Sequence, residues 1–430
     1  MAQNDKIDVN FQYYRGYKFQ IYPTDEQKEF IEKCIDTARY VYNWAIEQQE
    51  RQYQLYLEGK VPFKDAFIGF RNMCSRYTIH RAHVDFLKEF PVGFCREAIR
   101  NAMDAYYFYF KRISKHPSFH RKNDSRRWKY HPRPDKMWIK DNRLRVEGLY
   151  YKPNVYSETI KVDKDVLNYS FLGKKFVNPT VTKDSIGNYY ISFCIVEEKQ
   201  LSYFEDNNIP KMDRAIGIDL GLRDNARIVC SDGTRFINPD IRKEEYQLKK
   251  LAKRILKDNI RHKNQERNNP GENIEWSKRS QKRKLKSAKY RKSITNKNYT
   301  FMHTAAKQII KKNPLAVVME GFDCERLFVK NHFMAQMLQH KPIGLIRSVI
   351  EKKCNKYGIT FIKAKETFPS SQMCSNCGHI RPLDKSTKNF NCPCCGLHID
   401  RDINAALNLE HLAYTVDFTN MSNIDLAKIS

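Results

Sequence analysis

Asp219, Glu320 and Asp402 each stand in a setting that suits a divalent cation. Asp219 lies in the middle of the apolar run Ala215-Ile-Gly-Ile-Asp-Leu-Gly-Leu222, and Glu320 closes the run Leu315-Ala-Val-Val-Met-Glu320. Asp402 belongs to Ile399-Asp-Arg-Asp-Ile-Asn-Ala-Ala-Leu-Asn408, the opening of a helical pattern. A carboxylate that interrupts a buried strand costs on the order of several kcal/mol unless it is paired or bound to a cation. Brought together, three such acids make a site for Mg²⁺ or Mn²⁺, whose hard charge prefers oxygen ligands. Two such ions roughly 4 Å apart activate water and stabilise the leaving oxygen in phosphodiester hydrolysis. Taken singly, Asp219 could be a turn residue and Glu320 an exposed strand end; the three in this order argue for a site. Asp400 competes for the third place, but it precedes the Ile403–Leu412 helix as an N-cap, whereas Asp402 falls in the first turn and can face a sheet. Asp402 is therefore assigned to the site and Asp400 to the cap.

Just before the third acid come Cys374-Ser-Asn-Cys377-Gly and Cys392-Pro-Cys-Cys395-Gly, two knuckles separated by 14 residues. Each C-x₂-C turn points two thiolates at one ion, and Gly378 and Gly396 permit the tight turn that follows. Cys374, Cys377, Cys392 and Cys395 are read as the ligands of one Zn²⁺. Cys394 is the spare, because it would give C-x-C spacing with Cys392. A four-cysteine site is closed, so this zinc is structural and takes no part in the chemistry.

Several elements must position these residues. Phe11–Tyr22 alternates as a strand, and Thr24 with Gln27 forms a capping box. A helix is predicted from there to about Tyr56, with Phe30, Cys34, Ala38, Val41 and Ala45 on one face. Further helices fall before Lys115, the last over Pro91–Lys115. Its block Tyr106-Tyr-Phe-Tyr-Phe110 reads as packing against a neighbouring helix, with base stacking as the alternative. From His116 to Arg133 cations mix with aromatics and prolines, and Trp128 and Tyr130 there suit stacking beside phosphate contacts. Strands are predicted over Lys136–Lys140, Arg143–Leu149, Glu158–Val162, Thr180–Lys183 and Asn188–Glu197, with a turn at Ile186-Gly-Asn188; a small β-barrel is the economical fold. Leu201–Arg214 is polar and reads as a linker. The strand with Asp219, then Ala226–Cys230, an Asp232-Gly233 turn and Thr234–Ile237 open an RNase H-like sheet. Strand 315–319, a helix over 342–357 and strand 359–364 extend it as mixed α/β.

The 430 residues allow two to four domains. Their net charge of +28 calls for a polyanionic partner, nucleic acid first. Between Ile241 and Asn313 stand 23 Lys/Arg against 6 Asp/Glu, with a break at Asn268-Asn-Pro-Gly271. Two long helices are predicted there as the wall of a nucleic-acid channel, with Lys282, Arg283, Lys284 and Lys286 meeting phosphates. Met1-Ala-Gln-Asn-Asp-Lys lacks a secretory signal and no run of ~18 apolar residues exists, so a cytoplasmic protein without a membrane partner is expected. The scattered remaining cysteines fit a reducing compartment.

Gly217-Ile-Asp-Leu-Gly, the Val-Met-Glu320 strand, Ser371-Gln-Met-Cys-Ser-Asn-Cys-Gly, Cys-Pro-Cys-Cys-Gly and Asp-Arg-Asp-Ile-Asn-Ala-Ala-Leu-Asn resemble the RuvC-type nuclease and zinc ribbon of TnpB, the transposon-encoded RNA-guided nuclease, and of the compact type V CRISPR effectors. Tyr17-Lys-Phe-Gln-Ile-Tyr-Pro-Thr and Tyr40-Val-Tyr-Asn-Trp44 are similar to that family's amino-terminal segment. The resemblance implies a multidomain α/β protein. Its parts would be a wedge β-barrel over 1–23 and 116–205, an inserted helical recognition lobe over 24–115, a RuvC-like nuclease over 213–366 and 397–415, and a target-nucleic-acid-binding zinc ribbon over 367–396. It implies a Mg²⁺-dependent, RNA-guided DNA endonuclease with a guide RNA and a target DNA as partners, prokaryotic and nucleoid-associated when DNA-bound. It also places a site arginine at Arg381. A homodimer on one guide would follow from the CRISPR branch and a monomer from TnpB; one chain leaves the branch open. The alternatives are an RNA-independent transposase or junction resolvase, and a non-cleaving, guide-directed DNA-binding repressor.

Overall fold

The computed structural model describes residues 12–121, 129–146, 159–221, 226–272, 274–321, 343–384 and 387–415. Its contacts divide the chain into two compact units, Met1–Glu197 and Glu198–Ser430.

The first unit opens with strand β1 (Gln12–Tyr22), whose Tyr17, Phe19 and Ile21 are buried in alternation. Helix α1 (Asp25–Leu57) starts at Thr24, with both halves of the capping box made: Gln27 N donates to Thr24 Oγ1, and Thr24 N donates to Gln27 Oε1. Cys34, Ala38, Val41 and Ala45 form its buried face, as the spacing predicts. Helices α2 (Phe70–Ala82), α3 (Asp85–Lys88) and α4 (Val92–Phe110) follow, and α4 packs on α1. Of the aromatic block on α4, Tyr106 is buried and donates to Glu50 of α1 at 2.9 Å, whereas Tyr107 and Phe108 are exposed. Strands β2 (Lys129–Tyr130), β3 (Trp138–Lys140), β4 (Arg143–Arg145), β5 (Ile160–Val162), β6 (Val177–Lys183) and β7 (Tyr189–Glu198) join β1 in one sheet of order β2-β6-β7-β1-β5-β4-β3. Among the described residues no pairing joins its edges β2 and β3. Tyr17, Phe171, Phe176 and Phe193 pack edge-on and stacked in its core. Tyr130 is core as well: it is fully buried, edge-on to Phe94, so it is not the stacking platform expected from its basic neighbours. Trp128 lies outside the described residues.

In the second unit the segment read as a linker is partly core. Its short helix α5 (Tyr203–Asp206) buries Phe204 beside Tyr357, because two aromatics in a polar stretch have surface to hide. Strands β8 (Ile216–Leu220), β9 (Ala226–Cys230) and β10 (Arg235–Ile237) form an antiparallel meander, turned at Asp232-Gly233, where Gly233 takes φ +85°. Helices α6 (Arg242–Asn268) and α7 (Lys278–Lys311) form the basic hairpin, broken at the predicted Asn-Pro-Gly. Strand β11 (Ala316–Met319), helix α8 (Ile343–Tyr357) and strand β12 (Thr360–Lys363) complete a sheet of order β10-β9-β8-β11-β12, with β11 parallel to both β8 and β12. Strands β13 (Asn389–Asn391) and β14 (His398–Asp400) pair by themselves, and helix α9 (Arg401–Leu412) ends the described chain.

The sheet is covered on both faces. Ile216, Ile218, Leu220, Val317 and Met319 cluster with Met302, Ile309, Ile346 and Ile350 of α7 and α8. Ala215, Ala316, Val318, Ile362 and Ala364 cluster with Leu409 of α9. Because side chains alternate along a strand, Gly217 and Asp219 follow Ala215 onto the α9 face, and Glu320 follows Val318. Among the described residues no helix is long and apolar enough to cross a membrane.

Candidate functional site

Helix α9 lies against β8 at Gly217. A Cβ there would stand 1.9 Å from the Ala406 carbonyl oxygen and 2.4 Å from the Glu410 nitrogen, so only glycine admits this approach. Gly321 does the same beside Glu320, where a Cβ would meet the Ala364 carbonyl oxygen at 1.8 Å. The close packing brings Asp219, Glu320 and Asp402 within electrostatic reach of one another. Burial, then the charges of Glu320 and Asp402, push the Asp219 carboxyl well above the usual carboxylate range. Burial raises Glu320 too, opposed by hydrogen bonds from Ser370 and Asp219. The hydrogen bond between the two carboxyls acts oppositely on them, raising Asp219 and lowering Glu320. Such a set of hard oxygens, strained by mutual repulsion, has the donor chemistry a divalent cation prefers, although among the described residues only the four cysteines below bring ligand atoms within 4.8 Å of one another.

Two residues that the sequence reading did not single out act on these acids. The Arg401 charge lowers both Asp219 and Glu320. Ser370 Oγ donates to Glu320 Oε1 at 2.8 Å. Arg401 sits between the two aspartates of the Asp-Arg-Asp sequence, a signal that was open to reading; Ser370, fifty residues from its partner, offered none. Asp400 caps α9 through Asp402 N at 3.0 Å and Ile403 N at 3.2 Å, and pairs with Arg235 at 2.9 Å. Arg381 lies between the two cysteine knuckles, where its guanidinium donates to the Asn391 carbonyl at 2.8 Å.

Cys374, Cys377, Cys392 and Cys395 bring their four Sγ atoms within 4.8 Å of one another. The Cys374–Cys395 and Cys377–Cys392 separations are 3.6 and 3.5 Å. Four thiolates about 2.3 Å from one zinc lie about 3.8 Å apart, so the cluster fits a tetrahedral zinc. Gly378 and Gly396 take φ of +75° and +72° after their knuckles. A hydrogen bond from Asn376 and one from the Leu397 backbone lower the Cys395 thiol to about 6, whereas Cys377 in the same cluster is raised. Cys394 is exposed and outside the cluster.

The basic hairpin uses some of its cations internally. Arg283 forks onto Asp258 at 2.7 and 2.8 Å, and Lys297 pairs with Glu244 at 2.7 Å. Lys284 lies over Trp276, which stacks on His262 at 3.7 Å. Arg283 and Lys284 are thus not the outward phosphate contacts that the charge run suggested, because Asp258 of α6 and Trp276 of the segment joining the two helices engage them. Lys282, Lys286 and Lys289 are exposed and share one face of α7. In the first unit the basic segment after α4 is anchored on α1: His120 stacks on Tyr42 at 3.6 Å, and its backbone N–H and carbonyl both bond the Asn43 side chain.

Two family models match the chain: a Cas12f1-like TNB domain over residues 344–409, and a helix-turn-helix domain over residues 13–58. The second covers what is here strand β1 and helix α1. A Streptomyces pristinaespiralis protein named "Putative RNA-guided DNA endonuclease" is 25% identical over 92% of this chain and 88% of its own length. The TnpB-like protein L79 of Acanthamoeba polyphaga mimivirus is 22% identical over 91% of this chain and 72% of its own. Among solved structures, Cas12f1 in its complex with sgRNA and target DNA matches with a TM-score of 0.51 and 16% identity, over 90% of this chain and 83% of that one. The multidomain α/β fold is therefore shared with a compact Cas12 effector, and the chain resembles TnpB-like proteins along nearly its whole length.

Proposed function

We propose, from that resemblance and the acid site together, that this chain is an RNA-guided DNA endonuclease that hydrolyses phosphodiester bonds at Asp219, Glu320 and Asp402. The single observation that carries the chemistry is the burial of Asp219 in the central strand, beside two further acids on the α9 face. Mg²⁺ or Mn²⁺ bound there would supply charge neutralisation, an activated water and stabilisation of the leaving oxygen. The chain's own part is to hold three carboxylates that repel one another and to hold a proton on Asp219 until a cation replaces it. Ser370 orients Glu320, and the positive charge of Arg401 moderates the repulsion. The zinc ribbon has no open ligand position and serves structure.

The sheet order β10-β9-β8-β11-β12, with an antiparallel meander and two parallel strands, supports an RNase H-like, RuvC-type reading of 213–366 and 397–415. Helices α1 to α4, lying in sequence between β1 and the other strands of its sheet, support a wedge over 1–23 and 116–205 with a recognition lobe over 24–115. A guide RNA would read sequence by pairing, while exposed cations such as Lys282, Lys286 and Lys289 meet phosphates. The ribbon over 367–396 would contact the target, with Arg381 on it.

The test exchanges the guide RNA at fixed salt and follows which DNA is cut. Cutting should follow the guide, require Mg²⁺, and disappear in Asp219→Ala, Glu320→Ala and Asp402→Ala, with guide-dependent binding retained. Asp400→Ala should lose only cap stability, on the order of 1 kcal/mol. Equal cutting without RNA would favour the resolvase reading, and guide-dependent binding without any cutting would favour the repressor.

A further inference from the structure

Helix α9 carries more than Asp402. Asn404 and Asn408, one turn apart on it, are buried to 0 and 1% exposure. A buried amide persists for the hydrogen bonds it makes, and at Asn408 these are made by the nitrogen, the oxygen having no partner. Both side chains donate to the Met373 carbonyl, at 2.7 and 2.6 Å, and Asn404 Oδ1 accepts from Ser375 N at 2.9 Å. Asn408 donates also to the Ser370 carbonyl at 2.8 Å. The two asparagines thus clamp residues 370–375, the segment that leads into the first zinc ligand, Cys374. Ser370 is itself buried, and its hydroxyl is given to Glu320 Oε1.

Glu320 needs such a partner more than the other acids do. It stands one residue past Met319, the last paired residue of β11. A glutamate also has one more side-chain torsion to fix than an aspartate. The Arg347 guanidinium approaches the Glu320 backbone carbonyl at 3.4 Å, and Ser370 is the hydroxyl that meets the carboxylate.

We propose that Ser370 is a positioning residue for Glu320, held in place by Asn408, so that α9 sets two of the three acids: Asp402 on its own first turn and Glu320 through the Asn408–Ser370 link. The inference rests on the acids being the cation site. It also gives the ribbon a route to that site, since the segment clamped by Asn404 and Asn408 is the one that the zinc ligands fold. Loss of zinc would release Ser370, and with it Glu320, while Asp219 stays in its strand.

The experiment titrates full-length protein with Mn²⁺ and counts free ion by electron paramagnetic resonance, with zinc content and melting temperature measured on the same samples. The ions lost in Asp219→Ala define the acid site. Ser370→Ala should bind those ions roughly tenfold more weakly, the usual cost of removing a group that orients a metal ligand, with one zinc per chain and an unchanged melting temperature. Asn408→Asp, equal in volume but unable to donate to the two carbonyls, should weaken Mn²⁺ in the same direction. Wild-type affinity in Ser370→Ala overturns the proposal, and so does a loss of zinc alongside manganese, which would make Ser370 a folding residue of the ribbon. If wild type and Asp219→Ala bind Mn²⁺ alike, the cation-site reading itself fails, and the inference falls with it.

Discussion

Replacing Gly217 by alanine puts one methyl group where no atom fits. The new carbon would stand 1.9 Å from the Ala406 carbonyl oxygen, whereas ordinary contact begins at 3.4 Å, so α9 and β8 must part by about 1.5 Å. Neither side can yield cheaply, because both obstructing atoms, Ala406 O and Glu410 N, are helix backbone. Overpacking of this kind costs about 1–3 kcal/mol, or about 2–12 °C in melting temperature for a unit of this size. The functional cost should be larger. Asp219 is two residues from Gly217 on the same face of β8, and Asp402 is one turn before Ala406 on α9. The shift therefore opens the acid site directly, and a displacement of about 1 Å at reacting groups can cost about 100-fold. Single-turnover cleavage of guide-matched DNA should fall at least that far, while guide-dependent binding, carried by other surfaces, stays within about twofold. A Gly217→Ala protein that melts and cuts like wild type would refute the packing of α9 on β8 and the site built on it.

Asp219→Asn should abolish cleavage and yet stabilise the magnesium-free protein. The raised Asp219 pKa means that its contribution to stability is full below the ordinary carboxylate range and is lost as pH rises through the raised value. The stability gain of Asp219→Asn over wild type, read from melting curves, should thus grow from pH 4 to pH 7.5, reaching about 1 kcal/mol; a gain that shrinks with pH contradicts the assignment. Serine at Cys374, Cys377, Cys392 or Cys395 should cost the single zinc, seen by elemental analysis, and disorder the ribbon, whereas Cys394→Ser keeps zinc and activity. Glutamine at Lys282, Lys286 and Lys289 together should weaken DNA binding evenly across sequences and reduce the salt slope by up to about 3. Changing Arg283 instead should loosen the α6–α7 hairpin, detectable as faster hydrogen exchange, since it strips the buried Asp258 of its partner.

The placement of the acids was legible because it rests on two short-range rules. Period-2 alternation puts Asp219 with Gly217 and Ala215, and Glu320 with Val318 and Ala316, on one face of their strands. The capping logic that gave Asp400 the N-cap reserved Asp402 for the site, and the hydrogen bonds from Asp402 N and Ile403 N to Asp400 fit the first half of that division. The zinc knuckles needed only the C-x₂-C spacing and their glycines. Helix α1, with its capping box and small-residue face, was equally local.

What stayed hidden depends on partners distant in sequence. Tyr130 reads as a stacking residue from its neighbours Lys129 and His131, yet it is core, edge-on to Phe94, thirty-six residues earlier. Arg283 looks like any cation of a charge run until Asp258 is set beside it across the hairpin. Phe204 hides in a polar stretch because Tyr357 closes over it. Ser370 is the sharpest case, since a serine in Phe-Pro-Ser-Ser-Gln carries no chemical signal of its own. Its role arises where three local facts meet: a glutamate just past its strand, a helix with asparagines one turn apart, and a zinc knuckle whose entry segment those asparagines hold. Each of the three is written locally, and their meeting is fixed by Gly217, which lets α9 settle onto the strand that carries Asp219.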